Sequence, residues 1–299
     1  MKSRLIYWLT YAGMWLLALL PFKVLYILSD GLCFLMHHVV HYRRRVVRAN
    51  LCNAFPEKSA AELRDIEHEF YRYICDYMLE EVKMLRMSFK ELCRRMEYDN
   101  KGEYLAMIET HGGIVLLIPH YANFEWITGM SSIMQEGDIP VQIYKPLHNK
   151  YMDAMFKRIR TRFGGYNVAK HSTAREIIKL CRDNKRVAVG MITDQSPNPN
   201  EAHYWTTFLN QDTVFMDGAE RIAKLMDFPV FYCELQKQGR GYCRVRFDLI
   251  TETPKATADG EITECFARRL EQTIRREPPY WFWSHKRWKL KREDTIQHG

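Results

Sequence analysis

In the stretch His120-Tyr121-Ala122-Asn123-Phe124-Glu125 an imidazole precedes a carboxylate by five positions. Imidazole is the side chain whose ordinary pKa lets it take and release a proton near neutrality. With a carboxylate on one ring nitrogen, the other nitrogen is free to act as a general base. On one continuous helix, residues five apart point ~140° away from each other and do not meet. A bend from strand to helix removes that objection. Ile114 to Ile118 is an apolar run bounded by Gly112-Gly113 and Pro119, the pattern of a strand buried on both faces. His120 follows at once, at a strand carboxyl end, where α/β sheets carry their functional groups. Asn123 is the expected cap of the next helix. Glu125, in its first turn, is expected to orient His120 and stabilise the imidazolium. The chain has no Gly-x-Ser-x-Gly nucleophile elbow. The simplest chemistry is therefore direct attack of an activated substrate hydroxyl on an acyl group, without a covalent enzyme intermediate. On these residues alone, a purely structural His-Glu pair stands beside the catalytic one.

The elements that must hold this pair read as an α/β domain. Ser59-Ala60-Ala61-Glu62 and Ser88-Phe89-Lys90-Glu91 fit capping boxes and predict helices over 60–86 and 89–96. Thr173-Ala174-Arg175-Glu176 predicts a third helix start, and 217–226 reads as a further helix. After 114–118, strands are expected over 140–145, 186–193, 229–235 and 243–250, the first four separated by helix-like segments. The fold class that follows is a mixed, mainly parallel sheet flanked by helices and closed by an antiparallel hairpin at Gly239 to Gly241. The division expected is an N-terminal membrane anchor over 1–42 and a catalytic domain over 43–299.

The anchor is read from Leu5 to Phe22, which has no charged residue and follows Lys2 and Arg4. Val24 to Val40 is nearly as apolar. Spanning the bilayer and lying flat on it both fit, because 18 residues is the lower limit for a span and Pro21 interrupts the run. A cleaved leader is disfavoured by the lack of a small-x-small site after the apolar stretch. Arg43, Arg44, Arg45 and Arg48 form a basic collar suited to anionic headgroups. His37 and His41 share a helical spacing that a metal would need, but one such pair does not make a metal site, and none is expected. Lys and Arg number 44 against 36 Asp and Glu, for a net charge of +8 and a pI near 9.0, which implies acidic partners as a class. The eight cysteines show no Cys-x-x-Cys pair and read as reduced, mostly buried thiols, favouring a cytosolic face. Cys233 and Cys243 flank the Gly-containing turn, where a cross-hairpin disulfide is conceivable. No nucleotide-binding glycine loop and no nucleic-acid module is present.

In its order of motifs the chain resembles the late acyltransferases of lipid A biosynthesis, the lauroyl and myristoyl transferases. The resemblance rests on His120 and Glu125, then Tyr144-Lys145-Pro146, Asn149 and Arg160-Thr161-Arg162. Asp194-Gln195 and the terminal Phe282-Trp283-Ser284-His285-Lys286-Arg287-Trp288 complete it. It covers most of the chain and implies a glycerolipid acyltransferase-like fold. It further implies an acyl group carried on acyl carrier protein and passed to the hydroxyl of a 3-hydroxyacyl chain on a phosphorylated lipid A precursor, without any cofactor. It places the enzyme at the cytoplasmic face of the inner membrane, with anionic membrane lipid as a partner and nucleic acid as none. His120 and Glu125 are then catalytic, and Arg160, Asp194, Tyr144, Asn149, Arg162 and Gln195 are substrate-binding candidates. Arg160 is assigned to an anion of donor or acceptor, or to the tetrahedral oxyanion, and Asp194 to orienting Arg160 or a substrate hydroxyl. The Tyr280 to Trp283 cluster is assigned to an acyl tunnel, an interfacial anchor or core packing.

Two departures bear on the acceptor. Lys145 stands where the family usually has arginine, losing bidentate phosphate geometry, and Phe208-Leu209-Asn210 replaces a Phe-Phe-Gly-like loop. Another lipid acceptor, such as an aminolipid or a glycolipid, is one alternative. A membrane lipid hydrolase and a non-catalytic membrane protein are the others.

Overall fold

Gly113–Ile118, the strand that leads to His120, is buried along its whole length. It lies in the middle of a seven-stranded sheet. The computed structural model describes residues 2–147 and 149–293; the side chains of residues 2–6, Lys2 and Arg4 among them, lie outside the described residues. In chain order the helices are α1 (Lys2–Leu19), α2 (Phe22–Phe34, continued by a π-helical turn Leu35–Val39), α3 (Arg44–Ala54), α4 (Ala60–Lys83), α5 (Phe89–Arg95) and α6 (Lys101–His111), then α7 (Lys150–Thr161), α8 (Thr173–Arg182), α9 (Gly218–Met226) and α10 (Glu261–Arg276). The strands are β1 (Met96–Tyr98), β2 (Gly113–Ile118), β3 (Ile139–Tyr144), β4 (Tyr166–Ala169), β5 (Val187–Ile192), β6 (Tyr204–Phe208), β7 (Gln211–Phe215), β8 (Val230–Gly239) and β9 (Tyr242–Thr251).

The sheet order is β1-β9-β8-β2-β5-β3-β4, parallel except for the β8–β9 hairpin, and β6–β7 forms a separate antiparallel ribbon. This is the expected mixed, mainly parallel sheet flanked by helices. Gly113 is needed where it stands, since a Cβ there would meet the Phe228 ring at 2.5 Å and Val187 at 2.9 Å. The ribbon turns through Leu209 and Asn210, both with positive φ (48° and 61°), the conformation that a two-residue hairpin turn demands.

Local expectations fared unevenly. The Ser59 capping box is complete, with the hydroxyl accepting from Glu62 N–H and the Glu62 carboxylate accepting from Ser59 N–H. At Ser88 only the first half forms, because Arg94 and Arg95 take the Glu91 carboxylate. Thr173 is not a cap: it already lies inside α8, and its hydroxyl donates to Lys170 C=O. Cys233 pairs across the hairpin with Phe247 and Cys243 with Lys237, so the two cysteines do not face each other, and all eight are free thiols. The basic collar is partly spent on the fold, since Arg44 and Arg48 both donate to the buried Glu67, and Arg43 donates to Ser284 C=O.

Candidate active site

β2 and β5 are parallel neighbours, in register with Ile118 opposite Ile192. Two residues beyond each strand end come His120 and Asp194, so the sheet itself sets them side by side. His120 Nδ1 lies 2.6 Å from Asp194 Oδ1, and the His120 backbone N–H donates to Oδ2 at 3.1 Å. Trp281 Nε1–H donates to the same Oδ2 at 2.9 Å. Asp194 is only 1% exposed. Burial alone would push its pKa up, but the charge of His120 and hydrogen bonds from His120 and Trp281 outweigh it and hold the carboxyl below its usual range. An ionised Asp194 accepts from Nδ1–H, which fixes the tautomer whose Nε2 carries the free lone pair. The Gln195 side-chain amide donates to that Nε2 at 3.1 Å.

Glu125 is not the partner of His120. It lies in the first turn of a 3-10 helix, Phe124–Ser132, and its carboxylate accepts two hydrogen bonds from Arg160 of α7, from Nε at 3.0 Å and Nη2 at 2.6 Å. The pairing expected from sequence is thus exchanged: Asp194 takes the imidazole, and Glu125 takes the arginine assigned to Asp194. The reason is backbone direction. Ala122 adopts φ +46°, rare for a residue with a side chain. It is held there by Tyr73 OH donating to its C=O at 2.8 Å and by its own N–H donating to Tyr280 C=O at 2.9 Å. The kink turns the chain away from His120 before Glu125 is reached. Asn123 does not cap the helix; its amide donates to the buried Glu80 at 2.6 Å.

Other expected site residues have structural partners. Asn149 caps α7, accepting from Tyr151 and Met152 N–H at 3.0 and 3.3 Å, and so positions the helix that carries Arg160. Arg162 donates to the carbonyls of Met84 and Met87, tying the end of α7 to the segment after α4. Tyr144 ends β3, one strand beyond β5, with Lys157 Nζ 5.1 Å from its ring centre.

Six side chains that sequence reasoning did not assign to the His120 site also contribute. Trp281 anchors Asp194, although the terminal aromatic cluster was the signal for it. Phe124 and Phe282 lie 4.8 and 5.7 Å from His120 ring to ring, and Tyr77 stacks on Phe124 at 5.6 Å, forming an apolar wall beside the imidazole. Glu81 lies one turn beyond Tyr77 on α4. It is half-buried, but its Oε1 is enclosed and has no protein partner. Burial and the neighbouring Glu125 raise its pKa well above the usual carboxyl range, against the opposing pull of Arg160. His285 accepts from Ser196 N–H at 3.2 Å, bracing the turn that carries Asp194 and Gln195.

A mainly parallel sheet with a histidine held by a buried aspartate at adjoining strand ends is the class of site that this fold defines. The model of the bacterial lipid A biosynthesis acyltransferase family matches residues 1–290, and the chain belongs to that family. It is therefore a transferase of acyl groups in lipid A biosynthesis. It is 22% identical to the lipid A biosynthesis lauroyltransferase of Escherichia coli K12 over 295 residues, 96% of this chain and 93% of that protein. It is 20% identical to the palmitoleoyltransferase of the same organism over 289 residues, covering 95% and 92%. A lipid A biosynthesis acyltransferase of Haemophilus influenzae is 22% identical over 225 residues, 73% of this chain and 68% of the relative.

Proposed function

We propose that the chain moves a fatty acyl group from acyl carrier protein directly to the hydroxyl of a 3-hydroxyacyl chain on a lipid A precursor, with His120 as general base and Asp194 as its orienter. The observation that carries this reading is the His120–Asp194 pair, with the tautomer it sets and Nε2 facing Gln195. The acceptor hydroxyl displaces the Gln195 amide from Nε2 and gives its proton to His120 as its oxygen attacks the thioester carbonyl. Collapse of the tetrahedral intermediate breaks the C–S bond. The departing thiolate takes the proton back from the imidazolium, leaving the new ester and the free carrier thiol. Asp194 stays ionised throughout and stabilises the imidazolium between the two steps.

The Glu125–Arg160 pair lies at the same rim. Its arginine is held by two hydrogen bonds, so an incoming phosphate or oxyanion competes with Glu125 for the guanidinium. The apolar wall of Tyr77, Phe124 and Phe282 suits an acyl chain beside the base. No cofactor is required by this chemistry. The enzyme works at the cytoplasmic face of the inner membrane, anchored through residues 1–42, where acyl carrier protein and an anionic lipid both meet a basic protein.

The test is transfer by the purified His120→Gln variant, with acyl carrier protein donors and lipid A precursor acceptors, checked by circular dichroism for folding. Loss of transfer in a folded protein is expected. Transfer at the wild-type rate would eliminate the base. Mass spectrometry of the product identifies the acylated chain.

A further inference from the structure

Among the described residues, Phe22–Val39 is the helical stretch long and apolar enough to cross a membrane. Its surroundings are those of a different helix. The residues of this stretch that face the protein are Leu25, Ser29, Cys33 and His37, four apart and buried. They and their neighbours run antiparallel to α4 and are fastened to it over its length. Lys83 Nζ donates to the carbonyls of Ala18 and Leu20, Tyr26 OH to Glu80 at 2.9 Å and Ser29 Oγ to Asp76 at 2.6 Å, and His37 reaches Glu67 at 3.4 Å. The opposite face, with Val24, Ile27, Leu28, Phe34, Leu35 and Val39, is exposed. The inward face mixes Ser29 and His37 with Leu25 and Cys33, while the outward face carries six large apolar side chains, more than a helix on a water-facing surface leaves exposed. Such an outer face suits an apolar medium.

That medium cannot be the full thickness of a bilayer. Asp30 lies at the centre of the 22–39 stretch with its side chain 55% exposed, and it pairs with Arg240 at 2.6 Å. Arg240 belongs to the turn between β8 and β9, and Gly241 beside it packs so tightly on Tyr26 that a Cβ would run into the hydroxyl. If Phe22–Val39 spanned, this hairpin of an open sheet would sit at mid-bilayer with α4 beside it, and α4 exposes Glu69 and Arg72. Open sheet edges and exposed ion pairs are not accommodated in hydrocarbon.

We propose that the Phe22–Val39 stretch lies in one leaflet of an anionic membrane as a monotopic platform and does not cross it. The outward stripe enters the acyl boundary. Exposed Lys23, Arg45 and Arg86 lie near headgroup level, and Trp8 and Trp15 of α1 flank them. Because α4 carries Tyr73 and Tyr77 at the site and Asp76 and Glu80 toward this platform, the platform also fixes how the catalytic rim faces the lipid. The inference rests on the membrane reading given under the proposed function.

The test uses the full chain on vesicles of phosphatidylglycerol and phosphatidylethanolamine, with Cys52 replaced and single nitroxide labels at Val24→Cys, Gly31→Cys and Leu35→Cys. Gly31 is exposed with open space around an added Cβ. Equal, shallow immersion of all three labels, about 5–10 Å below the phosphates, is expected. A central maximum near half of the ~30 Å core at Gly31, with the outer labels shallower, would overturn the proposal. So would unimmersed labels in a protein that sediments as a dimer, which would assign the face to a second copy. Failure to bind vesicles while transfer in detergent persists would sink the membrane reading itself. As a second arm, Ile27→Glu with Phe34→Glu is expected to weaken vesicle binding at least tenfold, with transfer in detergent unchanged.

Discussion

Two carboxylates each hold a nitrogen side chain at this rim, His120 for one and Arg160 for the other, and they differ in what surrounds them. Asp194 is 1% exposed and takes hydrogen bonds from His120 twice and from Trp281 once. Glu125 has a side chain 16% exposed, meets a guanidinium 20% exposed, and has a second carboxyl, Glu81, close by. In the first the carboxylate is dry and its hydrogen bonds set one imidazole tautomer. The second has a spare carboxyl and an arginine that can change partners. A proton-transfer pair needs the first property, and a site that must admit and release an anion needs the second.

The sharpest way to break this contrast is to remove one charge from each side. Asp194→Asn keeps the shape but turns the His120 tautomer around, so transfer is expected to fall by on the order of 10³–10⁴ in kcat with KM little changed. A loss no greater than that of Glu125→Gln would erase the distinction. Glu125→Gln leaves Arg160 without its anion, a cost of roughly 1–3 kcal/mol. Here Glu81 intervenes. With Glu125 neutral the main charge that disfavours ionised Glu81 is gone, and Glu81 can take Arg160. The Glu125→Gln loss is therefore expected at about 10- to 100-fold in transfer, and Glu81→Gln alone at less. The double variant is expected to lose at least ~1 kcal/mol more than the two single losses added together. Additive losses in chemical denaturation and in transfer would show that Glu81 is a bystander.

The difference between the two carboxylates also marks where sequence reading ran out. Gly113 to Ile118 with Pro119 behind it announced a buried strand, and His120 at its end was legible from that run alone. The helix starts at Ser59 and Ser88 were legible because capping is a contact between residues three apart. Which carboxylate meets His120 was not, because it depends on β5 lying next to β2 in register, a pairing between residues 74 positions apart. Five positions made Glu125 look close, and a single positive φ at Ala122, which no residue type announces, sent it elsewhere. Asn149 and Arg162 were noticed through motif resemblance, yet their polar atoms serve α7 and its junction with α4. β1, β4 and the β6–β7 ribbon were missed, being short or partly exposed, with little apolar pattern to betray them.

The third prediction concerns how long the dry side survives acid. His285 has its pKa depressed from about 6.5 to about 4, first by burial and then by the nearby Arg287, with Asp194 pulling the other way. Its neutral Nε2 accepts from Ser196 N–H, which braces the Asp194 turn. Above pH 6.5 neither folded nor unfolded His285 carries a proton, and it leaves stability unaffected. As the pH falls from 6.5 to 4 the unfolded chain binds a proton that the folded one refuses, so stability declines through this window and levels off below it. Allowing for solvent access to part of the ring, the loss is roughly 2 kcal/mol. Asp194 acts in a separate window, because its depressed pKa means its contribution disappears only as the pH falls below the ordinary carboxyl range. Urea denaturation of the wild type and of His285→Gln at pH 7, 5.5 and 4 separates the two. The glutamine keeps an acceptor for Ser196 but does not titrate, so its stability is expected to stay flatter between pH 6.5 and 4. Parallel declines in the two proteins would move the acid sensitivity off His285.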